Sequence, residues 1–319
     1  MGAFWTYDGR EFRRHITGDG HDVRWAAWRP DGQAALLVGN GGSACLWAEG
    51  RCRLLPGAGR QNLRGAGWSP DGAQALLVGN KGQVWHFDGE GLRRLAYFSP
   101  ETLRRVAWRP DGAGALAIGN GGLALWIEGG RVEVVGWGEH HLRDLAWSPE
   151  GRFALVAANR GLYRFRAGAV GLEMLHEEPE GDLMAVGWHP GGSEALVAGC
   201  RSYGPHPLER EGHLYRFADN AVLPLGRPER DALWTGLSWH PSGRQALLVS
   251  NHAGLGPASF LAAWDGQAFT RLWESSAYRP TGVAWQAVDQ PSKGSSQAPS
   301  TSSGQALLWG SPRAAFWSA

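Results

Sequence analysis

The sequence predicts an all-β fold assembled from repeats, and three observations carry that prediction. One phrase recurs along the chain: "AAWRPDGQAALLVGNGG" from Ala26, "AGWSPDGAQALLVGNKG" from Ala66, "VAWRPDGAGALAIGNGG" from Val106 and "LAWSPEGRFALVAANRG" from Leu145. Shorter versions follow as "VGWHPGGSEALVAGC" at Val186, "LSWHPSGRQALLVSN" at Leu237 and "VAWQ" at Val283. The anchors Trp28, Trp68, Trp108, Trp147, Trp188, Trp239 and Trp285 are separated by 40, 40, 39, 41, 51 and 46 residues, the period of a repeat architecture. Finally, each unit divides into four short runs of branched and aromatic residues punctuated by Gly, Pro, Asp and Asn, which is the signature of strands and tight turns.

Around Trp108 the four runs, a to d, are "LRRVAW", "GALAIGN", "LALWIE" and "RVEVVGW". Pro-Asp-Gly or a close variant joins a to b: Pro pre-sets the first turn dihedral, Asp bonds the local backbone and Gly takes a positive φ. Asn-Gly-Gly, Asn-Lys-Gly or Asn-Arg-Gly joins b to c, where Asn and Gly tolerate the left-handed region that tight hairpins need. Four antiparallel strands per repeat, with both faces partly apolar, bury those faces by stacking radially into a propeller.

The chain ends predict closure of the ring. "FWTYDGREFRRHI" at Phe4 matches the c–d hairpin "VWHFDGEGLRRL" at Val84, yet no a–b pair precedes it. The missing pair stands at the other end, in "TGVAWQ" and "QALLWGSP", so the N- and C-terminal strands together complete a seventh blade. The terminal "AAFWSA" also reads as strand c, but the Trp-x-x-Asp-Gly spacing of Trp5 to Gly9 matches Trp85 to Gly89 and favours the N-terminal hairpin. The expected fold is therefore a single seven-bladed β-propeller domain, 1–319, of four-stranded antiparallel blades. The polar tract 286–304, "QAVDQPSKGSSQAPSTSSG", replaces the a–b turn of the last blade and reads as an inserted disordered loop.

These residues resemble the WD40-repeat family of β-propellers. The match is Val or Leu opening strand a, an aromatic at its end, Ser-Pro-Asp-Gly, an apolar strand b ending in a small residue, and a strand c ending near Trp. "WSPDG" at Trp68 and "LWAEG" at Leu46 are its best local examples, and it covers almost the whole chain. The Gly-His pair of the family is absent, Trp-Asp occurs only at Trp264-Asp265, and Asn or Gly replaces the usual Asp of the b–c turn. The resemblance implies protein partners gathered around the ring.

Composition narrows the function. With 31 Lys+Arg against 30 Asp+Glu, the formal net charge is +1, so no global field draws the chain to nucleic acid or an anionic membrane and any electrostatic recognition is local. The opening "MGAFWTYDGREFRRH" has no apolar core of a signal peptide, and no later apolar run approaches a membrane span. Cys45, Cys52 and Cys200 form an odd set without a Cys-x-x-Cys pair; free thiols and a cytoplasmic location fit, although Cys45 and Cys52 fall on neighbouring strands. A monomer is expected.

Strand alternation puts the start of a, the b–c turn and the d–a link on one rim, the top, and the a–b and c–d turns on the other, the bottom. Four residues before each anchor stand Arg24, Arg64, Arg104, Arg143, Met184, Thr235 and Thr281, so four consecutive repeats place arginine at the top of the innermost strand. Trp25 and Arg105 come one position later, and the wall one residue before each anchor is small: Ala27, Gly67, Ala107, Ala146, Gly187, Ser238 and Ala284. The long top-rim connections "CRSYGPHPLEREG" from Cys200 and "NHAGLGPAS" from Asn251 add Tyr203, His206 and His252. Clustered guanidinium groups bind carboxylate or phosphate bidentately; the competing role is pairing with a neighbouring blade's carbonyl or carboxylate. The expected ligand-binding set is Arg24, Arg64, Arg104, Arg143, Arg105, Trp25, Tyr203, His206 and His252. Asn40, Asn80, Asn120, Asn159 and Asn251 read as turn formers, and His189 and His240 as solvated turn residues.

No nucleophile elbow, phosphate loop, His-Glu-x-x-His or paired-cysteine pattern occurs, so no catalytic residue, metal or cofactor is expected. His206, His213 and His252 lack regular ligand spacing. The sequence thus predicts a non-enzymatic scaffold whose top face recognises a protein or an acidic or phosphorylated peptide. A lectin with one shallow pocket per repeat, drawing on the many Trp and the Asn-Gly turns, is the alternative. A channel-mouth enzyme comes third, because only Asp144 among the counted channel positions is acidic.

Overall fold

The computed structural model describes residues 2–97, 100–202, 209–251, 258–286 and 304–312. The chain opens with a hairpin, β1 (Ala3–Tyr7) and β2 (Phe12–Ile16), followed by β3 (Val23–Trp28), β4 (Ala34–Gly39), β5 (Ala44–Ala48) and β6 (Arg51–Leu54). The next repeat gives β7 (Leu63–Trp68), β8 (Ala75–Gly79), β9 (Gln83–Phe87) and β10 (Leu92–Tyr97), and the one after it β11 (Leu103–Trp108), β12 (Ala115–Gly119), β13 (Ala124–Glu128) and β14 (Arg131–Gly136). Then come β15 (Leu142–Trp147), the long β16 (Ala154–Phe165) and β17 (Glu173–Trp188), β18 (Glu194–Ser202), β19 (Arg210–Ala218) and β20 (Ala221–Arg230). The last six are β21 (Trp234–Trp239), β22 (Ala246–Ser250), β23 (Ser259–Trp264), β24 (Phe269–Ser275), β25 (Tyr278–Trp285) and β26 (Ala306–Pro312).

All pairings among these strands are antiparallel, and five of the sheets are four-stranded. The expected four-stranded unit fails in one place: β15 to β20 form a single six-stranded sheet. Its cause is local. The other early repeats break between b and c at a short turn, Asn40–Gly42, Asn80–Gly82 or Asn120–Gly122. Here Arg160 makes the same left-handed turn, φ 65° against 58° at Lys81, but Asn159 also pairs with Asp182, and strand d of one repeat runs on into strand a of the next as β17. Both chain ends share one sheet, ordered β2-β1-β26-β25, in which Phe4 lies opposite Trp309 and Tyr7 opposite Ala306. The tract 287–303 and the terminal "AAFWSA" lie outside the described residues.

Strand b explains how the sheets stack. In β4, β8, β12 and β22 every residue is buried, because both faces of the strand are covered by neighbouring sheets. Side chains alternate faces along a strand, so Leu36 and Val38 of β4 join Ala75 and Leu77 of β8 in one cluster, while Leu76 and Val78 of β8 join Ala115 and Ala117 of β12 in the next. The pattern repeats through Leu116 and Ile118 with Val156, Leu155 with Val197, Leu196 with Leu248, and Leu247 with Leu308. A further cluster joins Leu307 and Trp309 of β26 to Ala35 and Leu37 of β4. Each fully buried leucine or valine contributes about 1.5–3 kcal/mol of apolar burial. The innermost strands touch in the same sequence, β3 with β7, β7 with β11, β11 with β15, β15 with β17, β17 with β21, β21 with β25, and β25 with β3. Small residues permit that approach: a Cβ on Gly67 would stand 2.6 Å from the Val106 carbonyl oxygen.

Five of the seven anchor indoles are tied to the preceding repeat by a shared device. Nε1 of Trp28, Trp68, Trp147, Trp188 and Trp239 donates to the carbonyl one residue before the preceding anchor, as in Trp68 to Ala27 at 3.1 Å. His189 and His240 correct the reading of solvated turn residues. Each is half-buried and lies edge-on to the next anchor, His189 at 4.8 Å from Trp239 and His240 at 4.6 Å from Trp285.

Candidate functional site at the top rim

The four arginines of the inner strands share one geometry. Nε of Arg24 donates to Asn40 Oδ1 at 2.9 Å, Arg64 to Asn80 at 3.0 Å, Arg104 to Asn120 at 2.7 Å, and Arg143 to Asn159 at 2.5 Å. The recurring Asn is thus both a turn former and the anchor of a guanidinium in its own repeat, sixteen residues away. Among the described residues none of the terminal Nη nitrogens of these four groups donates a hydrogen bond. All four side chains are half-buried at the rim.

Their mutual proximity shows in their electrostatics. Burial, then the charges of Arg24 and Arg105, push the Arg64 pKa down. Burial and then Arg143, Arg105 and Arg64 push Arg104 down to about 10. Arg143 is lowered by burial, with Asp182 opposing. The repeat that keeps the asparagine without the arginine shows the other half of the pairing: Thr235 stands in its place, and Oδ1 of Asn251 is buried without a partner among the described residues.

Arg105 and Trp25 are committed beneath this rim. The Arg105 guanidinium stacks on the Trp25 ring at 3.8 Å, pairs with Asp144 at 3.2 Å, and donates to the carbonyls of Arg64 at 3.2 Å and Arg104 at 2.9 Å. Trp25 Nε1 donates to the Ala66 carbonyl, and Asp144 accepts a further bond from the Val186 amide. Burial lowers the Arg105 pKa and raises that of Asp144 against the attraction of its partner. One buried pair, stacked on Trp25, therefore ties five repeats together under the arc. Tyr203, His206 and His252 lie outside the described residues.

Two features of the rim escaped sequence reasoning. A cleft of about 420 Å³ opens beside Arg143, lined among others by His140, His141, Arg160, Glu180 and Asp182. At its edge Glu178, 1% exposed, accepts from Tyr215 Oη at 2.5 Å and Arg201 Nη2 at 2.8 Å. The unbroken β17 creates both, and nothing in the local sequence marks a strand d that carries on into strand a. No group of three or more His, Cys, Asp or Glu fit to hold a metal occurs among the described residues, and His213 pairs with Glu211 at 2.9 Å.

No protein-family model matches the chain, and no curated protein matches it in sequence. Solved structures do share its fold. The β-propeller domain of Cps50 (Swd1) from Myceliophteria thermophila aligns with a TM-score of 0.66 over 91% of this chain and 96% of that one, at 14% identity. Hydrazine synthase of Kuenenia stuttgartiensis aligns with a TM-score of 0.68 over 86% of this chain and 92% of that one, at 15% identity. The chain is a β-propeller. At these identities the likeness concerns the fold alone, and the second structure corrects one expectation: a propeller of this shape is named as an enzyme, so the absence of familiar catalytic motifs does not exclude catalysis. Among the described residues no helix is long and apolar enough to cross a membrane.

Proposed function

We propose that the chain is a closed, seven-bladed, WD40-like propeller whose top face binds an anionic group presented by a protein partner, an acidic or phosphorylated peptide segment. The observation that carries this reading is the arc of Arg24, Arg64, Arg104 and Arg143, each held at Nε by an asparagine with its terminal nitrogens uncommitted among the described residues. Tying down Nε fixes the plane of the fork and leaves the edge that grips carboxylate or phosphate in two-pronged fashion. Like charges crowded into a half-buried rim repel one another, and an anion bound across them relieves that repulsion. The circular order of the interblade clusters supports seven blades and closure, and free thiols at Cys45, Cys52 and Cys200 support a cytoplasmic setting.

The test is a titration of labelled hexaglutamate and of a phosphoserine peptide at rising salt. Affinity should fall steeply with salt, since exposed charges are screened over ~8 Å at physiological ionic strength. The pair Arg64→Ala and Arg104→Ala should weaken binding beyond either change alone and alter Tm little. Unaltered affinity with a large drop in Tm would assign the arginines to structure instead.

A further inference from the structure

We infer that the bottom rim, opposite the arginines, carries two equivalent interblade clefts that each take one sugar ring. The first, about 340 Å³, lies between the sheet of the two chain ends and the β3–β6 sheet, and is lined by Trp28, Trp47, Glu49, Gln33, Arg13 and His15. The second, about 260 Å³, lies between the six-stranded sheet and β21–β24, and is lined by Trp239, Trp264, Asp265, Arg244, Arg216 and His189. Their construction is the same. An anchor indole meets a strand-c indole at 5.5 Å and 66° in one and at 5.9 Å and 68° in the other. A carboxylate follows the second indole at the c–d turn, and the preceding sheet supplies an arginine and a histidine.

Core packing does not require an indole at these two places. Trp47 and Trp264 sit opposite Ala35 and Ala246, at the start of strand b. Other repeats fill the same register with Phe87, Ile127 and Phe217. What the indole adds is an N–H, and that donor is unspent. Among the described residues Nε1 of Trp47, a residue 7% exposed, is buried with no partner, and Nε1 of Trp264 makes no hydrogen bond either. The anchor indoles of the same clefts, by contrast, donate to Ala284 and Gly187.

The carboxylates are held at the cleft by the backbone. Glu49 sits in the left-handed c–d turn at φ of 51°, the conformation that Gly129 at 56° and Asp219 at 52° take in two other repeats. Asp265 Oδ1 accepts the amides of Gln267 and Ala268, which fixes its carboxylate. Aromatic faces beside carboxylate, amide and guanidinium groups match a pyranose, whose C–H face packs on indole while its hydroxyls both donate and accept. The volumes stand at the small end of ligand pockets, suited to a single ring, free or terminal on a glycan. Because these clefts lie on the other rim, the proposal stands or falls apart from the arginine reading.

Saturation-transfer NMR with glucose, galactose, mannose, fucose, N-acetylglucosamine and N-acetylneuraminic acid tests it, alongside an array of natural glycans ending in the same sugars. At least one sugar should receive transfer, and calorimetry with that sugar should give two sites per chain. Trp47→Phe and Trp264→Phe, substitutions the sibling repeats tolerate, should each remove one site. Glu49→Gln and Asp265→Asn should each weaken one by about tenfold, the worth of a hydrogen bond to a charged group. Binding on the array but not of free sugar would assign the clefts to glycans. No transfer and an empty array, or binding unchanged in the Trp47→Phe/Trp264→Phe double variant, would overturn the proposal.

Discussion

Replacing Arg105 with Met should cost more stability than removing any of the four rim arginines. The side chain lies 17% exposed against Asp144 at 12%, so the substitution leaves a carboxylate buried beside the channel with backbone amides, Val186 and Leu145, but no cation to answer it. Breaking a buried pair from one side costs about 3–5 kcal/mol, whereas exchanging both partners for apolar groups is often near neutral. Adding Asp144→Leu to Arg105→Met should therefore recover much of the loss. The residue would be about 1–3 kcal/mol, because the Val186 N–H is then stranded without an acceptor. Urea unfolding of the two single variants, the double variant and Arg64→Ala supplies the comparison. A single-variant cost below about 1 kcal/mol, the range of exposed ion pairs, would refute the assignment of a buried tie, as would a double variant less stable than Arg105→Met.

Three further outcomes follow from the geometry. Burial raises the Glu178 pKa, but the hydrogen bonds from Arg201 and Tyr215 outweigh it and hold the carboxyl below its ordinary value. Its contribution is accordingly full above the unfolded value of about 4.3 and lost as pH falls through the lower folded one, so acid unfolding of Glu178→Gln should show a shallower pH dependence there. Phe4→Ala, at a side chain with 0% exposure in the cluster joining the chain-end sheet to β3–β6, should cost about 3–5 kcal/mol by urea unfolding. Asn80→Ala should loosen Arg64 and weaken anion binding by about 1 kcal/mol, read by titration against the unchanged protein.

The architecture was legible because the repeat states it several times. The Trp anchors fixed the phase, the Pro-Asp-Gly turns and Asn-Gly turns fixed the hairpins, and the orphan hairpin at Phe4 announced its pairing with β26. The arginine arc was legible from position alone. What stayed hidden depended on contacts between repeats. Asn80 is a sufficient turn residue by itself, so its second task, holding Arg64, leaves no mark in the local sequence. Arg105 and Asp144 look like two ordinary polar residues 39 positions apart until the inner strands meet. The fusion of two repeats through β17 was also illegible, since it arises from a strand that carries on where its siblings turn. His189 and His240 read as solvated because the indole they lean on belongs to the following repeat.

The sheet shared by both chain ends sets a timetable for biosynthesis. Trp5 pairs with Leu308, a partner that leaves the ribosome roughly 300 residues later, which at about 5–20 residues per second is a delay of the order of 15–60 s. Over that interval the hairpin at Phe4 waits with one edge open, while the repeats behind it emerge and stack on neighbours already made. The nascent chain thus carries an unpaired strand edge at β1, exposed to strand exchange with other copies until β26 arrives. Slowing elongation over the codons ahead of β26 would lengthen this vulnerable stage without changing a single residue of the finished protein.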